Sequence, residues 1–99
     1  MAYGRCMGLM VVDEGMYGQY RRAMAPYLQR HGGSFRYDFK IAETLFSETP
    51  EPINRVFVIA FPDKAANDAF LADPEYLKVR EAFYKPSVAR ATTLGVFGG

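Results

Sequence analysis

Tryptophan is missing from this 99-residue chain, and cysteine and histidine occur once each, as Cys6 and His31. A lone cysteine cannot close an intrachain disulfide, so nothing ties the chain to an oxidising compartment. Lying inside an apolar run, Cys6 reads as a small buried hydrophobe. A lone histidine rules out a paired-histidine metal site, and no acidic cluster stands at ligand spacing, so neither metal nor cofactor is expected. There is no serine elbow, P-loop or dinucleotide fingerprint, and the closing glycines at 95–99 precede no helix that could cradle a phosphate. Twelve basic residues balance eleven acidic ones without a run of either sign. That excludes the basic stripe of a nucleic-acid surface and a polybasic membrane contact. No apolar stretch approaches the roughly 20 residues that span a bilayer. The N-terminal segment lacks the basic flank and small-residue cleavage site of a secretory leader, so the expectation is a soluble, cytoplasmic protein.

What remains is rich in apolar and aromatic side chains, 49% and 15% of the chain. That is enough for one hydrophobic core and one domain over residues 1–99. Two segments are apolar on both faces: "YGRCMGLMVV" from Tyr3 to Val12, and "RVFVIAF" from Arg55 to Phe61. Within the first, Gly8 marks a bulge or a close backbone approach. Between them, Tyr17, Tyr20, Met24, Tyr27, Leu28 and His31 recur at spacings of three and four. They predict a helix opened by Asp13, kinked or divided at Pro26, and stopped by Gly32-Gly33. "SFRYDFKI" alternates, with Phe35, Tyr37, Phe39 and Ile41 on one face and Ser34, Arg36, Asp38 and Lys40 on the other. A bulge or bend is expected near Ala42 to Thr44, followed by a proline-rich loop. Asp63 and Asp73-Pro74 open further helices, with a stripe of Tyr76, Leu77, Arg80, Phe83 and Tyr84 that ends at Lys85-Pro86. Val88 to Phe97 is the last strand.

The order strand, helix, strand, strand, helix, strand predicts an α+β fold, a ferredoxin-like βαββαβ sandwich with a four-stranded antiparallel sheet. Right-handed crossovers place the two doubly apolar strands in the centre and the alternating strand at an edge. Helices cover only one sheet face. The other face of the central strands needs cover, and a second copy supplies it, so a homodimer is predicted.

The stretches "DEGMYGQYRRAMAPYLQRHGGSFRYDFKIAETL" and "RVFVIAFPDKAANDAFLADPEYLKVREAF" resemble domain-of-unknown-function family thirteen-thirty. The pieces that carry the resemblance are the Asp13, Tyr17, Tyr20 spacing, the His31-Gly32-Gly33 turn, Phe61-Pro62 and Pro74-Glu75-Tyr76. The resemblance implies the dimeric α+β barrel superfamily, alongside antibiotic-biosynthesis monooxygenases.

Candidate chemistry is sparse. His31, at a helix C-terminus, reads as a cap for free carbonyls or as a general base at the mouth of a cavity. Tyr17, Tyr20, Tyr27 and Tyr37 read as core or as the lining of a ligand pocket. Arg5, Arg36 and Arg55 bind a carboxylate or pair across strands with Asp38 or Glu43. The sequence therefore points first to a dimer that binds a small, partly apolar molecule between sheet and helices. A cofactor-independent enzyme of monooxygenase or isomerase type using His31 as base is the alternative, and a purely structural or interaction dimer the second alternative.

Overall fold

Three aspartates start the helices where the sequence places them. Asp13 Oδ1 accepts from the Met16 N–H at 3.0 Å, Asp63 Oδ1 from Ala66 at 2.8 Å and Asp73 Oδ1 from Glu75 at 2.9 Å. Each side chain satisfies an amide that the first helical turn leaves free. The computed structural model describes residues 2–98. It runs β1 (Tyr3–Val11), α1 (Glu14–Arg30), β2 (Ser34–Lys40), β3 (Arg55–Phe61), α2 (Lys64–Ala72), α3 (Pro74–Val79) and β4 (Val88–Gly98).

One helix end differs from expectation, and α1 is not divided at Pro26. α1 passes through Pro26 as one helix, with Pro26 and Arg22 both exposed. The carbonyl of Arg22, which the missing proline N–H leaves free, thus lies on the wet side, where water can satisfy it. α3 does not stop at Lys85-Pro86. It widens into a π turn, Arg80–Tyr84, closed by the Lys85 N–H on the Arg80 carbonyl, and adds a last turn, Lys85–Ser87. The α1 stop is as expected: Gly32 has φ +74, its N–H bonds the Gln29 carbonyl at 2.9 Å, and Gly33 N–H bonds Leu28 at 2.9 Å. This is the double bond pattern of a glycine-terminated helix.

The four strands lie in the order β2-β3-β1-β4, antiparallel throughout. This is the ferredoxin-like arrangement, with the two doubly apolar strands in the centre. Leu9, Val11, Ile59 and Phe61 from one face of those strands meet Tyr20, Met24 and Leu28 of α1, with Phe70 and Tyr76, in the core.

β2 corrects the reading of its faces. Phe35 stands opposite Ile59 but Tyr37 opposite Val58, so Arg36 is an extra residue and the alternation reverses there. The bulge falls at Arg36 rather than near Ala42 to Thr44. Phe35 stays under the helices, whereas Tyr37 and Phe39 turn to the opposite face, 59% and 53% exposed. Asp38 comes round to the helix side, where Arg21 and Arg55 bind it. That ion cluster is the physical reason for the reversal: a carboxylate between two guanidiniums outweighs two aromatic rings kept inside.

The face away from the helices is flat. The Phe97 ring lies on Gly4 and Ile53 lies on Gly8, where added Cβ atoms would stand 1.9 and 3.0 Å from those side chains. Gly8 thus marks a close approach. Cys6, expected to be buried, is half-buried beside Val58 on this face.

Candidate functional site

Helix periodicity brings Tyr17, Tyr20 and Met24 to the sheet, and strand periodicity sends Arg5, Met7, Phe57 and Ile59 to meet them. Between these layers lies a cavity of about 140 Å³. α3 and its π turn close it with Tyr76, Arg80 and Tyr84. Widening the turn keeps Arg80 and Tyr84 on the side Tyr76 already faces; π turns of this sort recur at functional sites. Leu71 of α2 and Ala91 of β4 are the most exposed of the lining residues, and they mark the cavity's open side.

Four phenols surround the space. Tyr20 and Tyr76 hydroxyls bond each other at 2.8 Å, and the Tyr20 ring stacks obliquely on Tyr17 at 5.6 Å and on Tyr84 at 5.1 Å. Burial drives the pKa of Tyr17 up to about 12 against the pull of Arg21 and Arg55. Burial, with the neighbouring Tyr76, raises Tyr20 well above the usual phenol value. Tyr76 and Tyr84 are likewise raised by burial, although Arg80 pulls both down. At neutral pH these phenols keep their protons, so they serve as hydrogen-bond donors and not as bases.

One wall is ionic. Arg55 holds Asp38 with two parallel bonds, Nε to Oδ1 at 2.8 Å and an Nη to Oδ2 at 2.9 Å, while Arg21 binds the same carboxylate. Arg55 lies 4.8 Å over the Tyr17 ring and Arg21 3.6 Å over Phe35, so the cluster braces the cavity's aromatic lining. Burial pushes the Asp38 carboxyl up, but the bonds and charges of Arg55 and Arg21 outweigh it and hold the pKa below 3.8.

Of the residues singled out from sequence, Tyr17 and Tyr20 line the cavity together with Arg5. Tyr27, Arg36, Tyr37 and His31 are not in its lining. Tyr27 packs under Arg30, and Arg36, the bulged residue, and Tyr37 are both exposed. His31 Nε2 bonds Asp73 Oδ2 at 2.9 Å and packs edge-on against Phe70, itself a lining residue. It thereby ties the end of α1 to the start of α3. The hydrogen bond from His31 is also what most lowers the pKa of Asp73. Tyr76, Arg80 and Tyr84 were legible only as a helix stripe; nothing in "YLKVREAFY" marks the π turn that aims them.

A sheet of this order with helices on one side and a cavity beneath them defines a ferredoxin-like α+β protein. The chain belongs to the family described as Domain of unknown function (DUF1330), whose model matches residues 6–95. No curated protein matches it in sequence. Among solved structures it is similar to a protein of unknown function from Rhodopseudomonas palustris, with 17% identity, a TM-score of 0.79, and 99% of this chain and 82% of that one covered. It is also similar to a putative antibiotic biosynthesis monooxygenase from Nitrosomonas europaea, at 14% identity, TM-score 0.62, covering 99% and 89%. A dimeric ferredoxin-like protein of unknown function from Thermobifida fusca follows at 12% identity, TM-score 0.66, covering 100% and 92%. At these identities the likeness is one of fold. No helix among the described residues is long and apolar enough to cross a membrane.

Proposed function

We propose that this protein binds a small, partly apolar molecule in the cavity between sheet and helices, and does so as a homodimer. The observation that carries the first half is the cavity itself: about 140 Å³ of space walled by aromatic and methionine side chains and dotted with protonated phenols. Ligand sites commonly combine an apolar wall with a few convergent polar groups. A dry cavity of about 150 Å³ is large enough for one benzene ring, so a single-ring molecule matches this one. The groups that touch the ligand are Tyr84 and whichever of Tyr20 and Tyr76 accepts in their mutual bond as donors, with Met7, Met24, Phe57 and Phe70 as walls.

Dimerisation draws support from the other face. Val56, Val58, Tyr37, Phe39 and Phe97 lie on it, and the loop after β2 holds Leu45 and Phe46 88% and 86% exposed above a cleft of about 830 Å³. So large a contiguous apolar surface is unusual on a lone subunit. A neighbour of the same fold is described as dimeric.

Plugging the mouth tests the binding site. Calorimetric titration with benzyl alcohol should give saturable binding to the wild type and none to Ala91→Phe, with both proteins melting within a few degrees of each other. Equal binding by a folded Ala91→Phe would place the ligand elsewhere.

A further inference from the structure

We infer that the ligand of this cavity is a small planar carboxylic acid of about benzoate size, its carboxylate held between Arg5 and Arg80. The inference rests on the binding reading above and adds the charge of the ligand. Arg21, Arg30 and Arg55 each pair with a carboxylate. Arg5 and Arg80, the two cations that line the cavity, have no acidic partner among the described residues.

Arg5 is nonetheless fixed in place. Its Nε donates to Asn67 Oδ1 at 2.9 Å, and Asn67 is buried on α2. That bond holds the guanidinium by Nε and leaves its two terminal nitrogens available to a ligand of the cavity that Arg5 lines. Arg80, on the π turn, lies 5.1 Å over the Tyr84 ring and stands beside the Tyr76 hydroxyl. Both guanidiniums are half-buried beside aromatic walls and have no carboxylate partner among the described residues, so an anion between them would gain charge-assisted bonds. A carboxylate accepts from a guanidinium fork and from phenol donors at once, which a neutral ring cannot. The remaining space, between Phe57, Phe70 and the two methionines, takes one flat apolar ring.

Calorimetric titrations of benzoate and of benzyl alcohol, into the wild type and into Arg80→Met, test this. Arg80→Met keeps an apolar stem against Tyr84 and removes only the charge. Benzoate should bind the wild type at least about tenfold more tightly than benzyl alcohol, as expected for charge-assisted bonds. In Arg80→Met the ratio of benzoate to benzyl alcohol affinity should fall to about one. If benzyl alcohol binds the wild type as well as benzoate does, the carboxylate is refuted and the cavity site stands. If neither binds, both readings fall. If the benzoate advantage survives in Arg80→Met and in a folded Arg5→Met, the anion is held elsewhere and the inference is overturned.

Discussion

The two faces of this one sheet are built from the same two central strands, yet they bury different things. Under the helices, β1 and β3 meet a core threaded with phenols and guanidiniums, and no buried polar side-chain atom among the described residues lacks a hydrogen-bond partner. On the other side the same strands present Gly4, Cys6, Gly8, Val56 and Val58, a surface with nothing to donate or accept. Polar groups are tolerable beneath the helices because the neighbouring layer supplies partners at fixed positions. A surface of small and branched apolar side chains is flat, and suits contact with a like surface. On the reading proposed above, the difference separates a ligand site under the helices from a dimer face opposite.

The sharpest way to break that separation is to charge the open face. Val58→Arg puts a guanidinium at its centre, opposite Cys6 and Tyr37 and on the sheet face away from the cavity lining. An unpaired charge buried at an interface costs several kcal/mol. Sedimentation velocity should therefore find the variant as single subunits of 11.2 kDa where the wild type sediments at twice that mass. A variant that remains dimeric would remove the open face from assembly.

On the helix side, Asp38→Ala leaves Arg21 and Arg55 facing each other without their carboxylate. The loss expected in denaturant unfolding at neutral pH is about 2 kcal/mol, at the low end for a partly buried ion cluster. The pH dependence fixes its origin. Because the folded state holds the Asp38 pKa below its ordinary value of 3.8, this stabilisation is complete above that pH and lost as pH falls through the lower, folded value. The gap between wild type and variant should accordingly close below pH 3.8 and stay constant above pH 5 or so. A pH-independent gap would trace the loss to packing.

Much of this contrast was legible from residue order. The doubly apolar runs at Tyr3–Val11 and Arg55–Phe61 announced central strands, and the three aspartates announced helix starts, because caps and strand periodicity are local properties. Tyr17 and Tyr20 followed from helical spacing alone. The reversal in β2 was not legible. "SFRYDFKI" alternates equally well in either phase, and the bulge at Arg36 is decided by Arg21 and Arg55, distant residues that claim Asp38. For the same reason Tyr37 was assigned to the wrong face. Nor does any local signal mark the π turn that carries Arg80 and Tyr84 into the cavity, because the widened turn packs against α1, which lies far off in sequence. Arg5 stood out from sequence as a carboxylate binder; which of the arginines would remain unpaired depended on tertiary contacts.

Methionines happen to report on each face separately: Met7 and Met24 line the cavity, while Met10 projects from β1 to the open side. Methyl-resolved NMR during a benzyl alcohol titration is thus the most direct test that the covered face is the binding face. The Met7 and Met24 methyl signals should shift together and saturate, with Met10 unmoved. Movement of Met10 alone, or of none of the three at saturating ligand, would contradict it.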